Sequence, residues 1–315
     1  MACPRVVDTG GGPTTIPLNS PDGTSHRLEG LALASAGAIA FSGKAIIVKL
    51  AYRYGVDAVT LLMYRMLFAL PLFLGLSWWA SRGKPALSRG DWATLIGLGF
   101  CGYYLASFLD FMGLQYISAS LERLILYLNP TFVLAISVLL FKQQVSSRQW
   151  FALVLSYLGI LVVFGHDVST SGTHAVLGSL LVFGSAFSYA LYLVFSGQVV
   201  KRIGALRITG ISTSVASVLC VAQFLVLRPV GAMDVAPQVI WLSLLNATVC
   251  TFLPVVLVML AIERVGSTIT AQTGNIGPLS TILLSVLLLG EPFTIWIAMG
   301  TALVLAGVYL LARWK

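Results

Sequence analysis

From Glu29 to Ala312 the sequence is a train of apolar stretches separated by short polar turns. An α-helix rises ~1.5 Å per residue, so about 20 apolar residues cross a ~30 Å hydrocarbon layer with their backbone amides satisfied internally. Hydropathy windows predict helices at 29–51, 57–80, 92–114, 118–141, 150–165, 176–199, 206–227, 238–261, 266–289 and 294–312. The turns gather Gly, Pro, Ser and charge, as in Gly165-His166-Asp167 and Gly290-Glu291-Pro292. Of 315 residues, 58% are hydrophobic and 10% charged, against roughly a quarter charged in a soluble domain. Such a chain cannot cover a water-facing surface, and ten spans leave no length for a soluble domain. The expected fold is an all-α integral membrane protein.

Residues 1–28, rich in Pro, Gly, Thr and Ser, read as a disordered tail without the basic start and cleavage site of a signal peptide. The net charge of +8 is explained by placement. Thirteen Lys and Arg (Arg5, Arg27, Arg82, Lys84, Arg89, Lys142, Arg148, Lys201, Arg202, Arg207, Arg264, Arg313 and Lys315) fall on one side of the predicted spans, and Arg53 and Arg228 on the other. Basic loops stay in the cytoplasm, so both termini are expected there, in a cell inner membrane. No basic patch with interleaved aromatics points to nucleic acid.

Cys101, Cys220 and Cys250 lie inside apolar spans without CxxC spacing, and His26, His166 and His174 lie outside them, so no metal or catalytic histidine site within the membrane is expected. No Gly-rich run precedes a Lys-Ser or Lys-Thr pair, so no nucleotide cofactor is expected either.

The sequence repeats at an offset of 148: Asn129-Pro130 to Leu140 aligns with Gly277-Pro278 to Leu288, and without a gap Gly159 pairs with Gly307 and Gly30 with Gly178. The units are 29–165 and 176–312. Five helices is an odd number, so the second unit enters the membrane from the opposite face, giving an inverted pair of the kind transporters use.

Gly290-Glu291-Pro292, the run Gly300 to Gly307, and Lys49 followed by Leu61-Leu-Met-Tyr-Arg65 complete a pattern that resembles the drug/metabolite transporter superfamily, specifically its EamA family, over residues 29–312. The first unit departs from it, with Gln143-Gln144 where the second has Glu291-Pro292. The resemblance implies a central cavity lined by helices 1, 3, 4, 6, 8 and 9, and export or exchange of small metabolites.

Charges inside a bilayer usually face protein or a wet cavity. Here they are Lys44, Lys49, Arg65, Asp110, Glu122 and Arg123, all in the first unit. Lys49 reads as snorkelling to the interface. Arg65 reads equally as a partner of Asp110 or Glu122 and as a substrate contact. If the acids pair with Arg65 and Arg123, Lys44 is left over to meet a substrate carboxylate. Phe41 and Lys44 correspond by the repeat to Tyr189 and Tyr192, which would face them across the cavity, and Tyr103 joins this set. Pro130 and Pro278 free backbone carbonyls mid-helix. Around them Tyr127 and Asn129, and Gln272 and Asn275, read as binding groups, with Pro130, Gly274, Gly277 and Pro278 as hinges. Kinks used only for packing are the competing reading.

The function expected is a secondary transporter of a small polar metabolite, an amino acid or other organic anion or zwitterion, working by alternating access. A monomer suffices, driven by exchange or by protons relayed through Asp110 and Glu122. The alternative is a membrane enzyme acting on a lipid-type substrate, for which those two acids are the available catalytic groups.

Overall fold

The computed structural model describes residues 21–141, 146–171, 173–274 and 276–313. Among them the chain forms α1 (Pro21–Tyr52), α2 (Ala58–Ser81), α3 (Arg89–Leu114), α4 (Ala119–Leu126, then Asn129–Phe141), α5 (Ser147–Ser171), α6 (Thr173–Ile203) and α7 (Ala205–Leu227). They are followed by α8 (Pro237–Ala247, a π-helical turn Thr248–Phe252, then Leu253–Thr273), α9 (Ile276–Leu289) and α10 (Ile295–Arg313). Seven helices are long and apolar enough to cross a membrane, and Trp150–His166, Ile276–Leu289 and Ile295–Leu310 are shorter apolar helices.

Helix ends depart from those that hydropathy predicts. α1 is already helical at Pro21, the first described residue, inside the expected tail. α5 continues through the predicted turn at Gly165-His166-Asp167, and α8 through the predicted turn at 262–265, as far as Thr273. Neither stretch holds a proline, and a single glycine costs only ~1 kcal/mol in a helix. At two breaks a proline follows within a few residues: α4 breaks at Tyr127-Leu128 ahead of Pro130, and α8 ends at Thr273 ahead of Pro278, whereas Pro71 leaves α2 unbroken.

Pairing between the halves is reciprocal. α1 packs along α8 and α3 along α6, the same relation with the units exchanged, while α2 meets α7, α4 meets α9 and α5 meets α10. This is the contact pattern of a two-fold related pair. At the α5–α10 crossing a Cβ on Gly159 would stand 2.6 Å from the Gly300 carbonyl, and one on Gly300 2.5 Å from the Gly159 carbonyl. Only glycine lets these backbones approach so closely.

Polarity is inverted relative to a soluble protein. Val226, Leu139, Trp78 and Trp241 face outward, while Ser120, Ser212, Thr213, Ser217 and Thr281 are buried. Such a surface suits lipid, and the buried hydroxyls hold helices together or line a path between them.

At one end of the bundle Asp57 caps α2. Its carboxylate accepts hydrogen bonds from the Val59 and Thr60 amides and the Thr60 hydroxyl, and lies 3.2 Å from Arg228 Nε. Partial burial pushes the carboxyl up, but the Thr60 hydrogen bonds and Arg228 outweigh it and hold it below its ordinary value. The cap is therefore fully effective at neutral pH and fades as pH falls through that lowered value. Because the Arg228 pair is partly exposed, most of the effect is the cap itself. Asp57→Ala should cost about 1 kcal/mol, roughly 2 °C in Tm, as read by thermal unfolding in detergent at pH 7.

Candidate functional site

Two polar features occupy the interior. The first is an ion cluster joining α1, α3 and α4. Lys44 Nζ lies 2.6 Å from Asp110 Oδ2 and 3.4 Å from Glu122 Oε1. All three side chains are buried, and Asp110 Oδ1 and both Glu122 oxygens make no hydrogen bond. This reverses the expected pairing, because Lys44 is not left over; it holds both acids. Asp110 and Glu122 flank the α3–α4 turn, and a compact ammonium fits between two carboxylates where a planar guanidinium would have to choose one.

The two arginines are accordingly released. Arg65 Nε donates to Thr251 Oγ1 at 3.1 Å, and the guanidinium lies 5.3 Å from the centre of the Phe111 ring. The Thr251 hydroxyl in turn donates to the Asn246 carbonyl at 2.8 Å, so Arg65 is tied to the π turn of α8. It reads as a structural link between halves. Arg123 differs: its Nε is buried without a hydrogen-bond partner, and its guanidinium lies 5.9 Å from the centre of the Phe41 ring. Among the described residues no carboxylate stands within ion-pair distance of Arg123.

The second feature is a cavity of about 500 Å³ between the halves, lined from the first unit by α1, α3 and α4 and from the second by α6, α7 and α8. Arg123, Phe41, Tyr103, Tyr189 and Tyr192 all line it; Lys44, Arg65 and Asp110 do not. The three phenols form one array: Tyr103 and Tyr192 meet edge to face at 5.0 Å with hydroxyls 3.3 Å apart, and Tyr189 stacks on Tyr192 at 5.5 Å. Gly102 admits this arrangement, since a Cβ there would collide with the Tyr192 ring.

The hinge candidates divide. Gly274 lines the cavity, and Gly277 and Pro278 are buried at the start of α9. A Cβ on Gly277 would stand 2.6 Å from Arg123 Nη2, so this glycine makes room for the guanidinium. The Gly277 carbonyl also accepts from Ser42 Oγ at 2.8 Å. Pro130, Tyr127 and Asn129 sit at the α4 break but do not line the cavity; the Asn129 side-chain Oδ1 is buried without a hydrogen bond. The Gln272 side chain and all of Asn275 lie outside the described residues.

Sequence reasoning missed the π-helical turns Phe100–Leu105 and Thr248–Phe252, which begin at positions related by the repeat offset. Such turns insert a residue, re-aim the side chains around them and recur at functional sites. One supplies Tyr103 and the other Thr251. Pro254 lines the cavity as well.

The uncharacterized transporter YcbK of Bacillus subtilis (strain 168) is 29% identical over 261 residues, covering 81% of this chain and 83% of its own. An uncharacterized transporter of Archaeoglobus fulgidus is 23% identical over 271 residues, covering 86% of this chain and 92% of its own. One crystal structure of a protein aligns with 92% of this chain and 98% of its own at 17% identity, with a TM-score of 0.61, a likeness of fold. Residues 28–165 and 176–313 each match the EamA-like transporter family, and the chain, a multi-pass membrane protein, belongs to that family.

Proposed function

We propose that this chain is a secondary transporter of small organic anions or zwitterions, working by alternating access between two inverted five-helix units. In this reading ten helices cross the inner membrane and both termini are cytoplasmic. The observation that carries it is the cavity between the halves, to which both contribute walls. It extends from Arg123 to Ala205, beside the α6–α7 turn bearing Lys201 and Arg202, the side assigned to the cytoplasm by its basic residues. A site at the interface of two exchangeable units can be opened to either side by rocking one against the other.

The proton-coupled form of this mechanism rests on the ion cluster. Two buried carboxyls face one ammonium there, so one of them lacks a full counter-charge and is placed to exchange a proton during the cycle. In liposomes, saturable flux of a labelled organic acid or amino acid should appear and respond to an imposed pH gradient. Glu122→Gln, which spares the 2.6 Å Lys44–Asp110 contact, should abolish that response while exchange continues. Folded protein that moves nothing across a broad solute panel would refute transport, and an unchanged pH response in Glu122→Gln would refute this proton route.

A further inference from the structure

We infer that the cavity selects organic carboxylates that carry an apolar body and no ammonium group, so that a hydroxy or N-acylated acid is preferred over the corresponding free amino acid. The inference rests on the transporter reading and sharpens its substrate class.

Charge inside the cavity is one-sided. Arg123 is the one charged side chain among the described lining residues, and its Nε lacks a hydrogen-bond partner. A guanidinium in that condition is completed by a carboxylate, which it can bind through a charge-assisted, two-point contact. No Asp or Glu lines the cavity among the described residues. Asp110 and Glu122, on α3 and α4, do not line the cavity and are engaged by Lys44. A substrate ammonium would therefore be desolvated next to a guanidinium with no counter-ion to meet it, which costs far more than burying a hydroxyl or an amide. The rest of the wall fixes the body of the ligand. Val255, Val258, Met259 and Ile208 are apolar, and the Tyr103–Tyr192–Tyr189 array presents aromatic faces with hydroxyls. About 500 Å³ accommodates a single-ring acid with room for water. Beside the lining residues Val200 and Ala205, exposed Lys201 gives the mouth a positive charge that draws anions in, while the neighbouring Arg202 is paired with Asp91.

The test compares four probes of one shape on the purified protein by calorimetry, with flux in liposomes alongside: phenyllactate, N-acetylphenylalanine, phenylalanine and phenethylamine. Phenyllactate and N-acetylphenylalanine should bind at least tenfold tighter than phenylalanine, and phenethylamine should not bind. Arg123→Gln should erase the preference by weakening the two anions at least tenfold. Gly277→Ala, whose Cβ displaces only the flexible end of Arg123, should weaken them in the same order with little change in Tm. If Arg123→Gln does not fold, the wild-type ranking and Gly277→Ala decide. Phenylalanine binding or moving as well as phenyllactate, or an unaltered ranking in the folded Arg123 variant, overturns the inference and leaves the transporter reading standing. The same holds if none of the four binds while another solute shows saturable flux. Absence of flux for every solute defeats both.

Discussion

Lys44→Met should destabilise the protein by about 3 to 5 kcal/mol, the cost of removing one partner from a buried ion pair. Methionine matches the stem but leaves Asp110 and Glu122 with no cation at ion-pair distance among the described residues; Asp110 Oδ1 and both Glu122 oxygens already make no hydrogen bond. The deficit should appear as a fall in Tm of roughly 6 °C or more in detergent and as a lower yield of monodisperse protein. Adding Asp110→Asn to Lys44→Met should recover about half the loss, because the two sites share one interaction and their effects cannot add. The outcome also separates two roles for this lysine. A folded Lys44→Met protein of unchanged Tm that no longer binds organic acids would return Lys44 to the substrate and dissolve the structural assignment.

That reassignment shows where sequence reading stops. Depth and helical periodicity identified Lys44, Arg65, Asp110, Glu122 and Arg123 as the charges needing an internal explanation, because the cost of burying charge is a property of position along a helix. Which cation answers which acid depends on the rotation of α1 against α3 and α4, and periodicity within one helix carries no information about that. Counting charges gave one cation in surplus; only the contacts show that the surplus falls on the arginines, with Arg123 the one that reaches the cavity. The repeat register of 148 residues relates Phe41 and Lys44 to Tyr189 and Tyr192; Phe41 and the two tyrosines line the cavity, whereas Lys44 turns to the acids instead. The π turns were invisible because they alter hydrogen-bond register without altering hydropathy. Pro130 and Pro278 were legible as weak points because a missing amide acts locally, but Pro278 was expected mid-helix, whereas α8 ends at Thr273 and α9 begins at Ile276, and Pro71 leaves α2 unbroken.

The repeat also exposes an asymmetry with a measurable consequence: Glu291→Gln should open the end of the bundle that Glu291 now closes. The residue sits in the turn between α9 and α10, where Gly290 takes a φ of +72° that only glycine adopts without strain. From there its carboxylate accepts the Ala119 amide at 2.8 Å, the Ser120 amide at 3.4 Å and the Ser120 hydroxyl at 3.0 Å. It thus covers the unpaired amides at the start of α4, where the helix dipole favours an anion. Nearby contacts tighten the same seam: Ser120 and Ser285 hydroxyls meet at 3.0 Å, and Arg53 Nη2 donates to the Leu289 carbonyl at 2.6 Å. At the corresponding place in the first unit the sequence has Gln143, a neutral amide. The repeat-related position therefore lacks this charge, and in the proposed cycle the two ends should differ in how easily they open. Hydrogen bonds to a charged group contribute about 1.5 to 3 kcal/mol, enough to bias a two-state equilibrium by roughly 10- to 150-fold toward the closed end. Glutamine keeps the shape and loses the charge, so the variant should increase the open population at that end by about tenfold without unfolding the bundle. Spin labels at Gln115→Cys and Phe293→Cys, which lie on opposite sides of the seam, would report it as a new longer distance by pulsed electron resonance. An unchanged distance distribution in Glu291→Gln would mean that the charge does not hold the seam shut. Restoration of the short distance by Glu291→Asp would show that it is the carboxylate, rather than the length of its side chain, that does so.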